Sequence, residues 1–205
     1  MTLKNSEKEL ISKKIENLEK LSSAELVAVI TKRSGDYKYV TSIITTFLVF
    51  LISFFLIFLT DIDTLELVEI QLLSFIGINI FLEKFDNLLL FLLPKSYKRY
   101  KASQNAHEQF HNLGLNRTKT RQGIMFFVSF DEKYVEIISD TTVSSKIKDD
   151  YWQEIIDEFV KDVKKKELSN GYLKAIDSCS EILIKEFPIQ EDDENELPND
   201  VIELR

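Results

Sequence analysis

The hydrophobic positions change period several times along the chain. Leu10, Ile11, Ile15, Leu18 and Leu21 recur at helical spacing behind Ser6 and Glu9, an S-x-x-E capping box. They predict an amphipathic helix over 7–21 that needs a partner surface. From Ala24 the run AELVAVITKRS is dense in aliphatic and β-branched residues. It predicts a strand buried on both faces, with a helix capped by Ser22 and Glu25 as the alternative. Between Val40 and Thr60 no side chain is ionisable, and about 20 such residues at about 1.5 Å each match a hydrocarbon core of about 30 Å. A second apolar stretch, Leu67 to Leu82, is shorter and carries Glu69 near its outer end, so crossing a bilayer requires tilt, local thinning or pairing with the first. One long kinked helix over 67–93 is the alternative. The following NLLLFLLPKSYKRYK ends an apolar run in Pro94 and a basic-aromatic cluster, which suits a segment lying in the interface near anionic lipids.

From Ala102 the pattern becomes that of a globular core. Ala106, Phe110 and Leu113 predict a helix that stops at Gly114. Ile124–Phe130 and Tyr134–Ser139 flank the polar turn Asp131, Glu132, Lys133 and predict a β-hairpin. Ile147, Tyr151, Trp152, Ile155, Ile156, Phe159 and Val163 share one helical face. After Gly171 so do Leu173, Ile176, Leu183 and Phe187, closed by Pro188. The pattern thus divides the chain into an amphipathic helix and first strand over 1–36, a transmembrane hairpin plus interfacial segment over 40–93, the rest of the core over 94–188, and an acidic tail over 189–205. The tail has too little apolar material to offset its ordering entropy and is expected to be disordered.

Charge adds orientation. The turn between the two apolar stretches carries Asp61, Asp63, Glu66 and Glu69, while Lys32, Arg33, Lys38, Lys95, Lys98, Arg99 and Lys101 flank the other ends. Basic flanks belong in the cytoplasm. The expected location is therefore the cytoplasmic (inner) membrane, with two spans and both termini cytoplasmic. A polar segment before the first span and the lack of a small-residue cleavage site argue against a removed signal peptide. Seven carboxylates against Arg205 beyond position 190 supply most of the net charge of −8, so nucleic acid is not an expected partner. The single Cys179 excludes an internal disulfide and a cysteine zinc cluster, and reads as a small core residue. With five glycines in all, a phosphate-cradling loop has little material.

One motif carries chemistry by its letters. His107-Glu108-Gln109-Phe110-His111 is an H-E-x-x-H inside a predicted helix. His107 and His111 can share a zinc ion on one helical face while Glu108 activates its water, the arrangement of a membrane-anchored metallopeptidase. A third ligand is needed and nothing downstream marks one among Glu132, Glu136, Asp140, Glu154 and Glu158. In the competing reading Phe110 packs inward and His107, Glu108 and His111 form a solvated face. Asp140 with Asp149 or Asp150 can be read as carboxylates for Ca²⁺ or Mg²⁺, or Asp140 as a cap on the turn that follows it. Arg121 fits an anion or an exposed loop near lipid headgroups. Trp152 sits on an apolar stripe, favouring core packing over interface anchoring.

The ordered set HEQFHNLGLNRTKTRQGIMFFVSFDEKYVEIISD, IKDDYWQEII and NGYLKAIDSCSEILIKEFP resembles the membrane-anchored bacterial branch of the TPM domain family, named for thylakoid photosystem II repair proteins. The family pattern falls on Phe110, Gly114, Leu115, Thr118, Arg121, Gly123, Ser129, Glu136, Asp140 and Trp152, and AELVAVITKRSGDY resembles its first strand. The resemblance covers about 22–188. It implies an α/β fold, a TPM-like sandwich with a short mixed sheet and flanking helices, interrupted by a transmembrane helical hairpin. It also implies a function between weak, metal-assisted phosphatase and accessory binding in the upkeep of a membrane complex. Soluble relatives carry an acidic residue before the central-strand glycine, where this chain has Gln122, which counts against the phosphatase chemistry. The expectation is an accessory or binding module for a membrane protein, held in the lipid bilayer and needing no cofactor. A zinc peptidase and a phosphatase using Ca²⁺ or Mg²⁺ are the alternatives.

Overall fold

The computed structural model describes residues 3–191 and 194–204. The chain forms two compact units, one of residues 1–34 and 99–205, the other of residues 35–98.

In the first unit a four-stranded sheet is assembled from β1 (Glu25–Thr31), β2 (Gly123–Ser129), β3 (Tyr134–Ser139) and β4 (Ile202–Leu204), in the order β3-β2-β1-β4. β1 runs parallel to β2 from Glu25 opposite Gly123 to Thr31 opposite Ser129, and β3 returns antiparallel on β2. Every residue of β1 and β2 is buried, which is what an unbroken apolar run predicts for central strands covered on both faces. Alternation then sorts their side chains. Leu26, Ala28, Ile30, Ile124, Phe126 and Val128 face one core with α1 (Asn5–Glu19), α7 (Asp149–Lys164) and α8 (Leu168–Glu186). Val27, Val29, Met125 and Phe127 face the other with Ala106, Phe110 and Leu115. Ala106 and Phe110 lie on α5 (Lys95–Asn112), and Leu115 opens a short 3-10 turn, Leu115–Arg117.

The larger core centres on Phe126, Phe159 and Tyr172, whose rings meet edge to face at 4.9–5.3 Å, the geometry aromatic quadrupoles favour. Trp152 is 4% exposed in this core, as its apolar stripe predicts. Gly171 lies inside α8 rather than before it. A Cβ there would meet the Phe159 ring at 3.2 Å and the Asp162 Cβ at 3.3 Å, so the glycine lets α7 and α8 close up. Asp162 accepts from Lys174 across the same contact at 2.7 Å, and that hydrogen bond holds its carboxyl below the usual value.

The second unit holds α2 (Lys38–Leu59), α3 (Thr64–Lys84) and α4 (Asp86–Leu92). Both α2 and α3 are long and apolar enough to cross a membrane. They pack on each other, with Gln71 Nε2 donating to Ser53 Oγ at 2.9 Å across the pair. Ser53 and Thr45 are buried, whereas Phe47, Phe50, Phe55, Phe58, Leu73 and Ile76 are exposed. Small polar residues inside and large apolar residues outside is the inverse of a water-soluble helix pair.

Four expectations change. α1 starts two residues earlier than a Ser6–Glu9 box requires, with Lys4 at the N-cap position; the Glu7 carboxylate accepts from Lys4 N–H at 2.7 Å. The second apolar helix begins at Thr64, capped by Asp63, and so is longer than the stretch 67–82. The alternative of one helix over 67–93 fails at Phe85, whose φ of −109° and ψ of 55° break the chain between α3 and α4. The acidic tail is not uniformly disordered: Ile202–Leu204 form β4 on β1, Leu197 packs on the smaller core, and Glu196 N–H donates to Glu25 Oε1 at 3.0 Å. Its few apolar residues are spaced to meet an open sheet edge, a match that composition does not reveal. Asp192 and Asp193 of that tail lie outside the described residues.

Gly123 gives the sharpest test of this packing. A Cβ on it would lie 2.2 Å from the Leu115 carbonyl oxygen, a backbone atom that cannot step aside. Gly123→Ala should destabilise the α/β unit by about 3 kcal/mol, while Gly77→Ala, with nothing within 4 Å of the new Cβ, should not. Thermal unfolding of the detergent-purified chain followed by circular dichroism distinguishes the two; equal melting points would refute the close approach.

Candidate functional site

The H-E-x-x-H residues sit on the outer side of α5. Phe110 is 5% exposed in the smaller core, while His107, Glu108 and His111 are exposed. His107 Nε2 lies 3.4 Å from Glu136 Oε1 on β3, and Glu136 Oε2 accepts from Tyr134 at 2.9 Å and from Ser103 at 3.5 Å. This is a polar latch between α5 and β3. Burial pushes the Tyr134 hydroxyl up to about 12, and the Glu136 carboxylate adds to the rise. Among the described residues no three His, Cys, Asp or Glu side chains group to hold a metal ion, so His107 and His111 gain no third ligand. The helix face is set by Phe110, which takes the inward position and turns the two histidines outward.

The block from Gly114 to Gly123 folds as a brace beneath β2. Gly114 takes φ of +79° just beyond the end of α5, a left-handed position that suits glycine. The chain then drops Leu115 into the smaller core. Thr118 turns it back: its carbonyl accepts from Arg121 N–H at 3.1 Å and its Oγ1 from Gln122 N–H at 3.2 Å. Gln122 Oε1 in turn accepts from Ser23 Oγ at 2.7 Å, tying the brace to the start of β1.

Arg121 and Asp140, each read from sequence as a ligand-binding group, bind each other. Arg121 Nη2 donates to Asp140 Oδ1 at 3.0 Å, and its Nε lies 2.7 Å from Oδ2. Asp140 Oδ1 also accepts from Thr141 N–H at 2.7 Å, capping α6 (Thr141–Lys146). The capping reading of Asp140 therefore holds. Arg121 is not a loop residue facing only solvent or headgroups, although its side chain stays half exposed. It adopts φ of +58°, a conformation costly for a residue with a Cβ, and the pairing fixes it there. Asp149 and Asp150 are exposed on the first turn of α7 and do not join Asp140 in a carboxylate group. The residues present do not fit a Ca²⁺ or Mg²⁺ site built on Asp140.

At the opposite end of the sheet is a polar cluster with no sequence signal. Glu132, 5% exposed in the β2–β3 turn, accepts from Ser34 N–H at 3.2 Å and from Ser129 Oγ. Beside it Arg33 Nε donates to Asp131 Oδ2 at 2.9 Å. Ser34 and Glu132 lie 98 positions apart, so only the β1–β2 register brings them together. Next to this turn, a cleft of about 510 Å³ is lined by Phe130, Val135, Val160, Val163, Lys133 and Lys164.

A family model for the TPM domain matches residues 82–182, from the last turn of α3 to most of α8. Among solved structures, the NMR structure of the BA42 protein from the psychrophilic bacterium Bizionia argentinensis is similar in fold, with a TM-score of 0.61 and 19% identity. The alignment covers 100% of this chain and 97% of that one. No curated protein matches the chain significantly.

A double-mutant cycle tests whether Arg121 and Asp140 act as a pair. Asp140→Ala should cost more than Arg121→Ala, because it also removes the α6 cap, worth about 1 kcal/mol. The double variant should fall short of the summed losses by about 1 kcal/mol, a value already reduced for the half-exposed arginine. Strict additivity would show that the two residues serve separate purposes.

Proposed function

The chain carries a TPM domain over residues 82–182, and from that premise we propose that it is a membrane-anchored binding module. In this reading α2 and α3 cross the cytoplasmic (inner) membrane as a two-pass hairpin. Both termini and the TPM domain lie on the cytoplasmic side, and the domain engages a membrane protein or complex without catalysing a reaction on it.

The observation that carries this reading is how the family-pattern residues are used. Arg121 and Asp140 neutralise each other, Gly123 makes room for the Leu115 carbonyl, and Phe110 and Trp152 fill the two cores. The pattern thus builds a platform and commits its charged pair to holding it. The polar residues left on α5, including Tyr100, Gln104, His107 and Glu108, line a shallow groove of about 460 Å³, which is a recognition surface for a protein better than a pocket that excludes water. The anchor is supported by the phenylalanine-rich outer faces of α2 and α3, an exposed apolar area larger than water-soluble chains tolerate. The orientation is supported by lysines and arginines on the flanks and carboxylates alone in the turn.

One preparation tests both parts. In intact cells, an Asp63→Cys variant should react with a membrane-impermeant maleimide added from outside. Cys179 does not compete, because it is buried and burial pushes its thiol up to about 12; protection of position 63 would reverse the orientation. Crosslinking in the same membranes should recover a reproducible membrane-protein partner. The absence of one, together with substrate turnover by the purified chain, would overturn the binding reading.

A further inference from the structure

The strand register places four residues in one row across the end of the sheet: Tyr134 opposite Ser129, Ser129 opposite Thr31, and Thr31 opposite Leu204. The β2–β3 turn caps this end. α7 brings its last turn to the same place, where Val163 and Lys164 share a cleft with Phe130 and Lys133. Basic residues therefore collect here in a chain whose net charge is −8. Lys32, Lys133, Lys164, Lys165 and Lys166 are all exposed.

The carboxylates of the same end are disposed differently. Asp131 is engaged by Arg33, and Glu132 is buried against Ser34 and Ser129. Asp162 is buried between Lys174 at 2.7 Å and Lys165 at 3.8 Å, and Glu203 on the far edge meets Lys8. Glu167 is the exposed exception and accepts from Asn170. Lys133 and Lys166 occupy left-handed positions, at φ of 52° and 69°, where glycine or asparagine would be less strained.

The chain also leaves and rejoins the α/β unit at this end. Ser34 donates to Ser129 Oγ at 2.9 Å, and α2 begins four positions later at Lys38. On return, the Arg99 guanidinium lies 5.7 Å from the centre of the Tyr134 ring. By chain length alone, a bilayer entered by α2 is within reach of this surface.

We propose that this basic end of the α/β unit docks on an anionic lipid surface, with Lys133, Lys164, Lys165 and Lys166 taking headgroup phosphates. The proposal rests on the reading of α2 and α3 as bilayer spans. Four ammonium groups on one end gain strongly from an anionic leaflet, and the gain disappears with salt because the Debye length falls from about 10 Å at 0.1 M to about 3 Å at 1 M.

The test is amide hydrogen exchange of the full chain in nanodiscs of phosphatidylcholine alone or with phosphatidylglycerol. Exchange in segments 130–133 and 164–167 should slow roughly tenfold in the anionic discs, and revert at 1 M salt. The combined Lys133→Gln, Lys164→Gln, Lys165→Gln, Lys166→Gln variant should lose the slowing while β1 and β2 keep their protection. If that variant fails to fold, Lys164→Gln with Lys165→Gln, the exposed last residue of α7 and the one that follows it, should at least halve the effect. Equal rates in the two discs, or slowing retained in the variants, overturn the docking. Protection by inorganic phosphate in neutral discs would mark a free-anion site and overturn it too. Alkaline carbonate separates the premises: a chain extracted from membranes refutes the spans and the docking together, whereas a retained chain with equal exchange rates refutes the docking alone.

Discussion

The parallel pairing of β1 with β2 is the contact from which the rest of the α/β unit takes its positions. Glu25 lies opposite Gly123 and Thr31 opposite Ser129, although the whole apolar hairpin intervenes in sequence. Closing so long a loop costs little more than closing a shorter one, since the entropy grows only with the logarithm of length. The return is large, because both strands bury every residue and complete two cores at once. A slip of one residue would exchange the two faces of β1, setting Leu26, Ala28 and Ile30 against α5 and stranding Val27 and Val29 among the larger side chains of the other core. The register is therefore fixed by burial on both sides, and the polar groups at its two ends follow from it.

Those ends show how polar residues are spent. At one, Thr118, Gln122 and Ser23 join the brace to the start of β1, and the Arg121–Asp140 pair ties the brace to α6. At the other, Glu132 is buried yet satisfied by Ser34 and Ser129. A buried carboxylate without such donors would be strongly destabilising, so each end holds only while the β1–β2 pairing holds. The same pairing carries β4, which reaches the sheet only because β1 offers it an edge.

Much of this architecture was legible in the chain because it rests on local periodicity. The runs at 24–34 and 124–130, the turn at Asp131, the stripe through Trp152 and the long apolar helix at Val40–Thr60 each declare themselves within a short window. The resemblance added the order of the parts and the sandwich. What escaped depends on contacts between distant segments. Arg121 and Asp140 looked like two ligand-binding residues because nothing in either neighbourhood names the other. Ile202 and Leu204 looked like tail residues because a three-residue strand has no periodicity of its own. The capping box is displaced by two residues because Glu7 and Glu9 both offer a carboxylate near the helix start, and only the backbone decides between them.

The histidine motif shows why letters alone do not make a site. An i, i+4 pair of histidines shares a face in any helix, but which face is decided by the apolar residue between them. Phe110 wins that competition: burying a phenylalanine ring in the smaller core is worth about 2 kcal/mol, and two polar imidazoles have nothing comparable to gain inside. Once Phe110 points inward, His107 meets Glu136 on β3, whose carboxylate also accepts from Tyr134 on the same strand and from Ser103 on α5. The same step leaves Tyr100, Gln104 and Glu108 beside it on the outside. One packing decision therefore turns the histidine pair outward, where no third ligand joins it among the described residues, and lays out the polar face beside it.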